Sequence, residues 1–234
     1  MRSLALRCLL ITIALSCGIP TEGLATSLSV APTRVDLATD ARSGSVNLDN
    51  TGDQATTVQV QTFAWRHGNS IESLEPTRGL LAVPAVFNLP AGGRQVIRVA
   101  SREEVPADVE TAYRMVITEV PSTDPDTAAG IRFALRLSLP VFITPRNAYA
   151  APAWELSTDG RSLGVRNDGN AHLHVRGFVI RDQQSGRILA DVDSPSYVLA
   201  QEEHSWPDLL AAGSGPVLIE AQTSLGALSI VLER

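Results

Sequence analysis

The sequence predicts an all-β protein made of two sandwich-sized units, on three observations. Short runs of alternating apolar residues fill the chain beyond its N-terminal segment, and Gly, Pro, Asn and Asp interrupt them about every ten residues. Helical periodicity is nearly absent. One stretch, Pro145 to Pro152, stops the alternation at both ends and reads as a linker.

Taken in order, Ser29 to Leu37 is a first strand, Gly44 to Asn50 a second and Thr56 to Trp65 a third, in which Val58, Val60, Thr62 and Ala64 share a face. Asn50-Thr51-Gly52-Asp53 makes the turn between the last two, because Asn and Gly are the residues that tolerate its backbone angles. Leu80 to Leu89 is extended, Gln95 to Val99 follows the Pro90-Ala91-Gly92-Gly93 turn, Ala112 to Val120 is a further strand, and Ile131 to Ile143 is the longest. Beyond the linker come Trp154 to Ser157, Ser162 to Asn167, Leu173 to Arg181, Ile188 to Val192, Tyr197 to Leu199, Val217 to Thr223 and Ala227 to Leu232. The domain reading is therefore 26–145 and 153–234, joined by 146–152, and each unit is long enough for a seven-strand sandwich.

Residues 1–25 read as a secretory signal. Arg2 and Arg7 supply the positive end, Cys8 to Ile19 the apolar stretch, and Gly23-Leu24-Ala25 a small-x-small site with cleavage after Ala25. A lipoprotein reading at Ala14-Leu15-Ser16-Cys17 is the lesser alternative, since an apolar residue is expected where Ala14 stands. Cleavage after Ala25 would remove both cysteines, Cys8 and Cys17, so no disulfide would hold the exported protein together. All 19 basic residues are arginine, and the formal charge is -6, which argues against nonspecific nucleic-acid binding. No apolar run of about 18 residues follows the N-terminus, so no membrane-spanning helix is expected.

In the longest strand Ile131, Phe133, Leu135, Leu137 and Leu139 fall on one face, and Arg132, Ala134, Arg136 and Ser138 on the other. Two readings stay open. The row faces the protein's own core as in any half-buried strand, or it offers its side chains and free edge to another protein.

Catalytic and metal-binding patterns are thin. His172 and His174 share a strand face, but zinc needs three or four placed ligands and no third is near in sequence. His67 and His204 stand in turn-like contexts, and Glu103-Glu104 and Glu202-Glu203 read as solvated loops. There is no Gly-x-Ser-x-Gly elbow and no phosphate-cradling Gly-rich loop with lysine. No enzyme activity, cofactor or metal is expected.

Several segments, in their order and spacing, resemble the periplasmic pilus chaperones of the PapD-like family. They are Val30-Ala31-Pro32-Thr33-Arg34-Val35, Asn50-Thr51-Gly52, Pro84 to Gly92, Gln95 to Val99, Tyr113-Arg114, Glu119-Val120-Pro121 and Pro140 to Pro145. The resemblance implies two immunoglobulin-like β-sandwich domains set as a boomerang, and a chaperone that binds pilin-like subunits by donor-strand complementation and delivers them to an outer-membrane usher. By the same resemblance the donor row is Ile131, Phe133 and Leu135, with Leu137 next, and a homo-oligomer caps the strand when free.

The family anchors a subunit's C-terminal carboxylate with two basic residues in the interdomain cleft. Arg34 matches the first; the second, a lysine in the best-known members, falls on Pro140, so Arg114 is the candidate in its place. That departure points to the archaic or spore-coat-type branch. The arginine expected before the linker proline is Thr144; Glu110 stands near its acidic partner's place, with Arg146 a substitute from beyond Pro145. The competing class is a secreted tandem immunoglobulin-like adhesion module, which needs neither a free apolar edge nor a basic cleft.

Overall fold

The computed structural model describes residues 28–66, 74–102, 108–120 and 134–234. The predicted signal segment, Ile131, Phe133 and His67 lie outside the described residues.

The first unit is two sheets packed face to face. One has the order β1 (Leu28–Ala31), β3 (Ser43–Asn50), β8 (Arg94–Ser101), β6 (Leu80–Val83). The other runs β2 (Val35–Ala38), β10 (Arg136–Thr144), β9 (Thr111–Val120), β4 (Thr56–Ala64), with β5 (Glu75–Pro76) and β7 (Val86–Leu89) both on β4. Alternate residues from the two sheets, among them Val46, Leu48, Ile97, Met115, Ile117, Val141 and Ile143, interdigitate in one buried core. Two predicted strands are divided. Ser29 to Leu37 becomes β1 and β2, which switch sheets around Pro32, and Leu80 to Leu89 becomes β6 and β7, which switch around Pro84. Proline has no N–H to give a ladder, so the chain leaves one sheet there and joins the other.

The second unit has β11 (Pro152–Leu156), β12 (Leu163–Asn167) and β16 (Glu203–Trp206) in one sheet. The facing sheet is β14 (Ile188–Val192), β13 (Leu173–Asp182), β17 (Val217–Thr223), β18 (Gly226–Leu232), with β15 (Ser196–Val198) also on β13. The indoles of Trp154 and Trp206 stack 6.0 Å apart at its core, and Phe178 meets both edge-on. His204 and Glu203 belong to β16 rather than to a loop, a correction whose cause is that only Trp206 of this strand is buried.

A buried asparagine ties the strand ends in each unit. Asn50 Nδ2 donates to the carbonyls of Gln54, Leu89 and Pro90, and its Oδ1 accepts from Gly52 N–H. Asn167, in the matching Asn-Asp-Gly turn, donates to the carbonyls of Ala171, Val198 and Leu199 and accepts from the N–H groups of Ala151 and Gly169. Gly169 is required because a Cβ there would strike the Tyr149 carbonyl and stand 2.7 Å from Ala150 Cα. The linker is thus sewn to the second unit, and Asn170 extends the seam by donating to the carbonyls of Asp108 and Asn147.

Candidate functional site

Along β10 the odd residues Leu139, Val141 and Ile143 are buried in the first core, with Leu137 partly buried against it. The predicted apolar row therefore continues the protein's own core row, and Leu137 sits where one passes into the other. Leu135 is half-buried just before β10, and Glu119 N–H donates to its carbonyl at 2.8 Å.

That bond sets the hydrogen-bonding parity of the strand. Leu135 faces Glu119 as a bonded pair, so Leu137, Leu139 and Val141 likewise turn their N–H and C=O toward β9, given the pairs Leu137↔Ile117, Leu139↔Met115 and Val141↔Tyr113. Arg136, Ser138 and Pro140 turn theirs away from β9. On that side β2 pairs only from Val141 to Thr144, so among the described residues the edge from Arg136 to Pro140 has no strand beside it. Pro140 is tolerated in mid-strand because its missing N–H falls on this edge and not in the β9 ladder.

The two candidate anchors meet at the end of the free edge. Arg114 lies directly across from Pro140, and the parallel pairing of Val35 with Val141, continued by one residue, sets Arg34 beside Pro140 on its other flank. Asp36 and Ala38 are exposed where Val35 and Leu37 are buried, and Arg114 alternates with buried Tyr113 and Met115. Arg34, Pro140 and Arg114 therefore form one row on the outer face of the sheet, with the two arginine Cα atoms roughly 10 Å apart across two strand spacings. The lysine expected at Pro140 is replaced by a cation on each side.

The arginines differ in environment. Arg34 pairs through Nε with Asp36 Oδ2 at 2.9 Å; burial works against its charge, but Asp36 and the nearby Tyr197 outweigh it and raise its pKa. Arg114 lies over the Trp65 ring, Cζ 3.6 Å from the centroid. Burial pulls its pKa down to about 10, which leaves it charged at neutral pH, and it has no carboxylate partner among the described residues.

The second unit supplies the opposite wall. His172 stacks on Phe142 at 3.8 Å, and Tyr197 lies 5.5 Å from Phe142 and 5.6 Å from Trp65. His174 stacks on Tyr197 at 4.4 Å. Behind them Glu110, almost wholly buried, accepts from His172 N–H at 3.0 Å, from Thr144 Oγ1 at 3.0 Å and lies 2.8 Å from His172 Nδ1. Thr144 thus serves Glu110 from the place where an arginine was expected. Arg146 pairs instead with Asp40 at 2.6 Å, so the cross-domain partner of Glu110 is His172. The sequence reading of His172 and His174 on one face holds, but both pack on aromatic rings, and among the described residues no three or more His, Cys, Asp or Glu gather around a metal position.

His174 carries a pH dependence. Desolvation, then the charges of Arg176, Arg34 and His172, lower its pKa from 6.5. The unfolded chain therefore takes up this proton first, and stability falls as pH drops through and below about 6.5. Thermal unfolding at pH 7.5 and 5.5 should show a smaller loss in His174→Gln than in the parent; equal losses would place the pH dependence elsewhere.

Residues 27–148 match the family model described as the pili and flagellar-assembly chaperone, PapD N-terminal domain. No curated protein matches the chain. Among solved structures, the YadV chaperone is similar at 19% identity and a TM-score of 0.65, covering 89% of this chain and 100% of that one. The complex of CsuC with the tip adhesion subunit CsuE, from archaic chaperone-usher Csu pili of Acinetobacter baumannii, gives 18%, 0.64, 88% and 98%. The Salmonella enterica SafA pilin complex with the SafB chaperone gives 17%, 0.62, 89% and 95%. At these identities the likeness is one of fold, two immunoglobulin-like sandwiches in tandem.

Proposed function

The chain belongs to the family of PapD-like pili and flagellar-assembly chaperones, and on that premise we propose that it holds pilin-like subunits in the periplasm by lending them the free edge of β10. It is a chaperone and not an enzyme. The observation that carries the proposal is the unpaired edge from Arg136 to Pro140, which ends between two arginines. An added strand takes its hydrogen bonds from the Arg136 and Ser138 backbones. The row Ile131, Phe133 and Leu135, with the exposed part of Leu137, fills the apolar groove of a subunit that lacks a strand. Three or four such side chains give roughly 1.5–3 kcal/mol each before ordering losses, which holds a subunit without a nucleotide.

Arg34 and Arg114 receive the subunit's terminal carboxylate. Arg114 is the stronger candidate, because it is a half-buried cation with no described counter-ion. Fixing the strand end there sets the register, and a one-residue slip would turn every large side chain away from its pocket. Each charge-assisted contact is worth about 1.5–3 kcal/mol, so Arg34→Ala and Arg114→Ala should each weaken binding at least tenfold with the fold intact. Delivery then passes to an outer-membrane usher. When no subunit is present the same edge pairs with a second copy. The proline between two arginines supports a place in the archaic or spore-coat-type branch. A tandem adhesion module would need neither the bare edge nor the unpaired cation.

Co-expression of the full chain with a candidate pilin-like subunit tests the reading. A one-to-one complex in the periplasmic fraction, lost in Arg114→Ala, is the expected result. Equal subunit recovery with and without the chain would refute it.

A further inference from the structure

The free edge carries a third cation. Arg136 stands at its far end, on the same outer face as Ser138 and Pro140, since Leu137 and Leu139 turn to the core. It is exposed, and among the described residues it has neither an ion pair nor a side-chain hydrogen bond. Across β9 and β4 from it stand Thr118 and Gln59, and across from Ser138 stand Val116 and Gln61, so no carboxylate shares this part of the face. Glu119, beside Thr118, is bonded to the Thr56 hydroxyl and the Leu135 N–H, and Asp36, beyond the arginine row, is paired with Arg34.

An added strand lies in the lane that β2 leaves empty, and Arg34 closes that lane beside Pro140. A strand whose terminal carboxylate reaches the arginine row therefore ends level with Ser138 or Leu139, and its body runs back past Arg136. Side chains alternate along it. When its last residue is level with Ser138, the third residue from the end shares the outer face with Arg136 at one strand spacing, about 4.8 Å. When the last residue is level with Leu139, the fourth from the end takes that place. An opposite charge on such a neighbour stabilises the pair, and a like charge opposes it.

We propose that Arg136 is a specificity-determining residue: the strand this edge accepts carries an acidic side chain, Asp or Glu, on its outward face at the third or fourth position from its carboxyl terminus. The inference rests on the anchor reading above and adds a second, side-chain carboxylate to what the edge recognises. The preference has a local origin, because the whole chain carries a formal charge of -6 and its general field would favour a basic strand.

The test uses synthetic twelve-residue peptides of alternating valine and serine that end in serine with a free α-carboxylate, with Ser, Glu or Lys at the third position from the end. Each is titrated at low salt into the full chain, kept dilute enough to be monomeric. The parent should favour Glu over Lys at least fivefold, and salt should narrow the gap. Arg136→Glu, at an exposed position, should keep the parent's thermal unfolding and reverse the order, Lys over Glu. Equal binding of the Glu and Lys peptides by the parent overturns the proposal, as does an unchanged order in Arg136→Glu or an equal preference when the Glu or Lys is moved to the ninth position from the end. The C-amidated twin of the serine peptide checks the anchor separately: amide and acid bound equally by the parent would refute the anchor reading and this inference with it, whereas a tenfold preference for the acid without a Glu preference would refute this inference alone. A parent that binds none of the peptides contradicts strand addition and both readings.

Discussion

Leu135→Asp should leave the free protein folded and reduce subunit binding by about a hundredfold or more. Leu135 lies ahead of β10 and is only half-buried, outside the set of side chains that make the first core, so a carboxylate there remains hydrated in the free chain. In a subunit groove the same carboxylate would be buried without a partner, and the apolar contribution of the leucine, about 1.5–3 kcal/mol, would be lost as well. Together these exceed the 2.8 kcal/mol or so that corresponds to a hundredfold in affinity. The comparison that gives this its force is Leu139→Asp. Leu139 is two steps along the same face and buried in the first core, so its replacement should unfold the free protein. Thermal unfolding and subunit titration on the two variants check both statements. If Leu135→Asp unfolds the chain as Leu139→Asp does, the row serves only its own core from Leu135 onward.

Asn167→Ala should cost the second unit at least about 4 kcal/mol. Its side-chain amide donates to three carbonyls and accepts from two N–H groups, and it is completely buried, so alanine leaves five backbone groups without their partner. An unsatisfied buried group loses about 1–3 kcal/mol, and relaxation recovers only part of the sum. For a unit of this size that corresponds to a fall of about 15 °C or more in its melting temperature. Because two of the five groups are the N–H of Ala151, in the linker, and of Gly169, packed on the linker, the domain seam should loosen with it. Calorimetry resolving the two units would show the second transition shifted and the first nearly unmoved; a shift below a few degrees would mean that water replaces the amide.

What could be read in the sequence was the part carried by local alternation. The odd row of β10, the Asn-x-Gly turns and the strands from Val217 to Leu232 need only a period of two and a turn residue, and they stand where the pattern puts them. Strand switching around Pro32 and Pro84 was missed because each long apolar run is continuous across its proline, while the change of sheet depends on which partner lies nearby. β16 was missed because Glu203, His204 and Ser205 show no apolar period and only Trp206 reaches the core. The arginine row was half legible. Arg34 and Arg114 carried the chemistry, but their alignment with Pro140 depends on the parallel pairing of β2 with β10, across more than a hundred residues. The aromatic wall of Trp65, Phe142, His172, His174 and Tyr197 had no sequence signal, since it is assembled from three strands and two strand ends in two units.

The most direct test of the central claim is amide hydrogen exchange along β10, in the free chain and in its complex with a subunit. In the free chain, kept dilute enough to be monomeric, the Leu137 and Leu139 amides bond to β9 and exchange slowly, whereas those of Arg136 and Ser138 face the bare edge and exchange fast. Complex formation should slow Arg136 and Ser138 at least tenfold and leave Leu137 and Leu139 as they were. A complex that forms with Arg136 and Ser138 still exchanging at the free rate would contradict strand addition on this edge.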